Sequence, residues 1–288
     1  MSAVYTRRRI TNVIALALSG CATLIGLAFL VWILWITAQS GFAALKPSLF
    51  TKITAYGADG GLSNAIVGSL IMDLMAILIC APIGILAGTY LAEYASSTRL
   101  GSTIRFLNDI LLSAPSIVLG LFVYVIVVLP INEVTHGAIS FSGFAGSVAL
   151  ALIGLPVIVR TTDEMLQLVP GTLREASLSL GIPQWKLTMQ VLMRAAFSGI
   201  LTGILLALAR LAGETAPLLF TAFGNMYMTA HPLDKMASLP QTIFQYTNDP
   251  DPALHAIAWA GALLITLFVL ALSLLTRILF SRKKVSYE

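Results

Sequence analysis

Long apolar runs separated by short polar connections dominate this chain. A helix needs roughly 20 apolar residues to cross a bilayer, and only helices or closed barrels satisfy the backbone in lipid. Six runs qualify: Val13 to Ile36, about Asn64 to Ala92, Ile110 to Leu129, about Phe141 to Val159, about Ala195 to Ala222, and about Ala256 to Leu275. Pro130 closes the third. The first contains no charge, the second only Asp73, and the fifth holds Arg210 and Glu214. The pattern predicts an all-α membrane protein with six transmembrane helices. Arg7-Arg8-Arg9 ahead of the first run imitates the start of a signal peptide. The run is longer than a signal core of about 7–15 residues and no small-x-small cleavage site follows, so it reads as a retained first helix.

The polar connection from Arg160 to Arg194 also reads as helices. Thr161 and Glu164 stand at capping-box spacing, as do Thr172 and Glu175. Pro170-Gly171 breaks the first of these helices and Gly181 stops the second, while Pro183 suits the first residue of a third that leads into the fifth span. A helix, a glycine turn and another helix outside the bilayer suit docking to a soluble partner. Local chemistry alone leaves an alternative open, in which Glu175 only caps its helix and Gly181 only ends it.

Composition agrees with lipid as the main solvent: 58% of residues are hydrophobic and 10% charged, against about 25% charged in soluble domains. The placement of charge is more informative than the net +4. Arg7, Arg8, Arg9, Arg99, Arg105, Arg160, Arg174, Lys186, Arg194, Arg277, Arg282, Lys283 and Lys284 fall on one side of the six-span layout; only Lys46, Lys52 and Lys235 fall on the other. By the positive-inside rule both termini are expected in the cytoplasm. The expected organisation is a cytoplasmic segment 1–12, a permease domain 13–280 that includes the loop 160–194, and a cytoplasmic tail 281–288. Gly84-x-x-x-Gly88 and Gly199-x-x-x-Gly203 predict close helix approach.

Within the spans, Asp73, Arg210 and Glu214 are the deep ionisable groups, and such groups usually face a partner or a wet path. Arg210 and Glu214 are four apart and share a helix face. Gly213 and Pro217 are also four apart, which predicts a bend, because proline leaves the Gly213 carbonyl without its donor. Arginine suits a tetrahedral oxyanion, since its planar fork gives two hydrogen bonds to two oxygens. Arg210 and Glu214 are therefore candidate substrate-path residues; an ion pair that only fixes packing, or holds a partner subunit, is the alternative. Asp73 reads as a neutral or interface-facing acid. Cys21 and Cys80 lie in apolar runs and read as core residues, and His136, His231 and His255 have no metal-ligand spacing. No G-x-x-x-x-G-K-[ST] loop occurs, so ATP hydrolysis is not expected on this chain, nor is any cofactor or metal. A proton-coupled transporter or an intramembrane enzyme using Asp73 or Glu214 is the competing class.

Glu175-Ala176-Ser177 with Gly181 resembles the EAA motif of binding-protein-dependent ABC importers. Where that motif ends in Ile-x-Leu-Pro, this chain has Val191, Leu192, Met193 and Arg194, a departure associated with the phosphate branch. Tyr90 to Tyr94, Arg105 to Tyr124, Pro156 to Thr162 and Ala207 to Ala222 resemble the PstA family of phosphate permeases, over roughly residues 7 to 280. The resemblance implies a MetI-like permease fold. It also implies ATPase coupling through Glu175, Ala176 and Gly181, and an inner-membrane location. The implied partners are a second, PstC-like permease, ATPase subunits (two copies) that carry ATP and Mg, and a phosphate-binding protein outside the membrane. A permease for another oxyanion, molybdate or sulfate, stays open because specificity rests mainly with the binding protein.

Overall fold

The computed structural model describes residues 3–55, 57 and 59–281. Its helices are α1 (Ala3–Ala44), the single turn α2 (Ser48–Thr51), α3 (Ser63–Glu93), α4 (Arg99–Ser113), α5 (Ser116–Val134), α6 (Gly143–Gln167), α7 (Gly171–Ser179), α8 (Gln184–Leu211), α9 (Ala216–Thr221), α10 (Leu239–Thr247) and α11 (Pro252–Ser281). Six of them, α1, α3, α5, α6, α8 and α11, are long and apolar enough to cross a membrane. No strand accompanies them among the described residues beyond an isolated bridge, Phe223 to Met236. Arg282, Lys283 and Lys284, counted above for orientation, lie outside the described residues.

Several boundaries differ from the sequence expectation, each for a local reason. The third span begins at Ser116, after an extended break at Ala114 and Pro115. The residue before a proline avoids helical geometry, and Ala114 accordingly takes ψ 137°. The stretch Arg99–Ser113 thereby becomes a separate amphipathic helix, with Thr98 accepting from the Gly101 amide at its start. Pro130 does not end α5, because a π turn over Tyr124–Val128 widens the helix just before it. At Thr161 and Glu164 no helix begins. α6 runs straight through, with Thr161 bonding the Val157 carbonyl and Glu164 pairing with Arg160 at 2.8 Å. Thr172 and Glu175 do not form a capping box either; Pro170 occupies the cap position of α7. The fifth span starts earlier than expected, at Gln184, with Pro183 at its cap.

α6 is the axis of the bundle, packed chiefly against α3 and α8. The glycines expected to allow close approach do so: a methyl group at Gly84 would collide with Ile158, one at Gly88 with Thr162 and the Val159 carbonyl, one at Gly199 with Met165, and one at Gly203 with Thr161. In lipid the hydrophobic effect contributes little between helices, so this shape fit and dispersion hold them. The contacts also set depth. Going down α6, Gly146 meets Met72, Leu218 and Ala222; Gly154 meets Cys80 and Leu211; Thr161 meets Gly203; and Met165 meets Gly199. The pole where α3 and α6 end and α8 begins carries Arg99, Arg105, Arg160, Arg174 and Lys186; it is called the basic pole below. α1 joins the bundle only near its end, where Gly41 abuts Trp259 and Leu263, and its preceding apolar face, from Val13 through Trp35, is exposed as expected against lipid.

Candidate functional site

Leu211 ends α8 beside Gly154, eleven residues into the twenty-five of α6, or about 16 Å along that helix. The fifth span therefore stops at mid-depth. A run of tight turns follows, with Gly213 N–H donating to Arg210 O at 3.2 Å and Glu214 N–H to Leu211 O at 3.0 Å. α9 then starts at Ala216, with Pro217 in its first turn, where a missing N–H costs nothing. The sequence predicted a bend here; the structure has a full break. Gly120 of α5 lets the Pro217 backbone press close, which seats α9.

Arg210 occupies the last turn of α8, where the helix carbonyls favour a cation. Its Nε lies 3.7 Å from Glu214 Oε1, as the four-residue spacing required, with the side chains 41% and 17% exposed. That distance makes an ion pair and not a hydrogen bond. The Arg210 guanidinium donates to no described residue. Magnitudes decide what surrounds it. Each charge at mid-bilayer costs about 2.5–3.5 kcal/mol on insertion scales, whereas an exposed i,i+4 pair returns about 0.3–0.5 kcal/mol. Pairing does not offset two such costs, so this face meets protein or water and not lipid.

The second site is the turn at the basic pole. α7 exposes Glu175 and Ala176, and Gly181 follows it with φ +73° and open space around it. Gly181 N–H donates to Leu178 O at 2.9 Å, closing the helix end. Leu178, Leu180 and Trp185 are all more than half exposed here at the basic pole. Such a patch marks a contact surface. Ser177 is buried and bonds the Leu173 carbonyl.

Behind the turn lies a cleft of about 890 Å³, lined by Glu93, Arg105, Asp163, Arg174 and Gln184 among others. Arg105 grips both Asp163 oxygens at 2.7 and 3.1 Å and the Leu91 carbonyl at 2.7 Å. Asp163 raises the Arg105 pKa above its ordinary value through that hydrogen bond, so the guanidinium stays charged. Arg174 holds Glu93 at 2.8 Å. Sequence reasoning missed both pairs, because partners 58 and 81 residues apart have no spacing signal. Arg160 with Glu164, by contrast, is a local i,i+4 pair on α6.

The remaining candidates are scattered. Asp73 is buried beside Leu70, Ala212, Leu239 and Phe268 with no hydrogen-bond partner among the described residues. Cys80 is in the core against Gly154 and Cys21 is exposed on α1. His231 lies 3.7 Å from Asp234, and His255 shares a hydrogen bond with the Asp249 carbonyl.

Six candidate spans, with the fifth broken at mid-depth beside a half-exposed arginine, make this a polytopic membrane protein. Residues 81–285 match the family described as "Binding-protein-dependent transport system inner membrane component". The chain is 54% identical over 283 residues to the phosphate transport system permease protein PstA of Xylella fastidiosa strain Temecula1, covering 98% of this chain and 96% of that one. It is 50% identical to PstA of Yersinia pestis, covering 96% and 92%, and 35% identical to PstA of Mycobacterium leprae, covering 94% and 89%. The chain belongs to this family of inner-membrane components, and within it to the PstA permeases. A chain of the inward-facing MetNI methionine ABC transporter shares the fold, with TM-score 0.58 at 20% identity, covering 76% of this chain and 92% of that one.

Proposed function

We propose that this chain is one permease subunit of an ATP-driven importer that moves inorganic phosphate across the inner membrane, with both termini in the cytoplasm. The observation that carries the reading is Arg210. It is a guanidinium at mid-depth that donates to no described residue and whose face cannot meet lipid. A crossing anion needs positive charge in a low-dielectric region, yet must be held weakly enough to leave. One arginine, partly neutralised by Glu214, supplies both conditions. The names of the 54% and 50% identical relatives support phosphate as the cargo.

The other subunits follow from what this chain exposes. A PstC-like second permease covers the Arg210 face and completes the path. ATPase subunits, two copies, seat on Glu175, Ala176 and the Gly181 turn, whose exposed Leu178, Leu180 and Trp185 give the apolar contact. A phosphate-binding protein delivers the anion at the opposite pole. ATP and Mg belong to the ATPase subunits.

Uptake by the assembled complex in proteoliposomes tests the reading. Radiolabelled phosphate is expected to accumulate only with ATP on the docking side and binding protein on the other, and excess sulfate or molybdate should not compete. Uptake driven by a proton gradient without ATP would overturn it. Orientation is checked separately: tags at both termini are expected to report the cytoplasm and a tag near Asp249 the outside, and termini on opposite sides would contradict the six-span arrangement.

A further inference from the structure

Few contacts hold the docking helix to the bundle. In α7 every residue but Arg174 and Ser177 is exposed. Arg174 makes the principal tie. Its Nη2 donates to Glu93 Oε1 at 2.8 Å and to the Leu166 carbonyl at 2.7 Å, its Nε lies 3.5 Å from Glu93 Oε2, and its Nη1 donates to the Val169 carbonyl at 2.7 Å. Glu93 is the last residue of α3, with its side chain 6% exposed. Its carbonyl in turn accepts from Gln184, the first residue of α8, at 3.1 Å. One residue of α3 thus receives both arms of the docking turn, and Arg174 also closes the end of α6.

α3 leads from this junction to the helix break. Its glycines lock onto α6 at Val159, Thr162 and Ile158, and its Cys80 meets Gly154, which Leu211 also meets. Leu211 is the residue next to Arg210. A displacement of α7 that reaches α3 therefore reaches the level of Arg210 through a contiguous packed layer.

We propose that Arg174 and Glu93 form a positioning pair that transmits movement of the ATPase-docked helix to α3, and through the Gly154 layer to the break at Leu211. The proposal rests on α7 being the docking helix. A planar guanidinium gripping one carboxylate and two carbonyls resists both rotation and sliding, which a single point charge does not.

The test is the number of ATP molecules hydrolysed per phosphate taken up by the full complex in proteoliposomes, read beside subunit yield. Arg174→Gln and Glu93→Gln are each expected to raise that ratio about fivefold while the subunits still copurify. The double variant should be no worse than Arg174→Gln alone, because Arg174→Gln already removes the contact that Glu93→Gln removes. A ratio within about twofold of the parent, or single effects that multiply, overturns the proposal. If the Gln variants fail to assemble, Glu93→Asp decides: it keeps the charge and shortens the reach, so a raised ratio supports the pair and an unchanged one overturns it. Crosslinking from Ser179→Cys to the ATPase in the parent complex separates the two readings. Its absence removes the docking assignment, whereas crosslinking with unchanged ratios removes only the clamp.

Discussion

Asp73, next to Met72 of the Gly146 layer, and Arg210, next to Leu211 of the Gly154 layer, differ in surroundings. Asp73 is 6% exposed in α3, lines an apolar cavity of about 340 Å³, and makes no hydrogen bond to a described residue. Arg210 is 41% exposed and faces Glu214 at 3.7 Å. Burial without a partner gives a side chain nothing to exchange with a crossing ion, whereas half exposure with free donors does. Asp73→Asn, which keeps the shape, is therefore expected to leave complex yield and phosphate uptake within about twofold of the parent, since substitutions that break no contact stay within about 0.5 kcal/mol. An uptake assay showing a loss of tenfold or more would place Asp73 on the path. The Arg210–Glu214 pair was legible in the sequence because four-residue spacing is a local property of a helix. The free donors of Arg210 were not, because they depend on what the rest of the fold leaves uncovered.

At the scale of elements, the spans were readable and their ends less so. Six apolar runs predicted six spans, since length and hydropathy alone decide whether a helix can cross lipid. Prolines made the errors. Pro115 broke a stretch read as continuous, Pro130 failed to break one read as ended, and the break before Pro217 proved complete where a bend was expected. A proline removes a donor, but whether the helix bends, widens or stops depends on neighbours that local sequence does not reveal. Gly181 was readable, and its φ of +73° gives the prediction at this scale. A Cβ there meets no atom within 4 Å, so Gly181→Val adds no clash and tests backbone conformation alone. Left-handed geometry costs an L-residue about 1–2 kcal/mol, and more when β-branched. The variant should assemble in the membrane, retain less than a tenth of the ATPase in pulldowns, and lose uptake in proportion. Normal ATPase recovery and uptake would remove the docking role from this turn.

For the molecule as a whole, the two sites sit at opposite ends of α8: the docking turn at its start on the basic pole, the arginine at its end at mid-depth. Long-range ties such as Arg105 to Asp163 and Arg174 to Glu93 bind the intervening helices, and these were invisible before the fold was known. The arrangement requires that the anion pass Arg210 and that the docking turn act on it from a distance. Complex yield and phosphate uptake measured together in Arg210→Gln and in the double variant Arg210→Gln with Glu214→Gln test that requirement most directly. Loss of a charge-assisted hydrogen bond of about 1.5–3 kcal/mol corresponds to uptake reduced about tenfold or more. The single variant should show that loss with subunit yield unchanged, and neutralising Glu214 as well should not restore it. Restored transport in the double variant would show that the pair only fixes packing and that the anion crosses elsewhere.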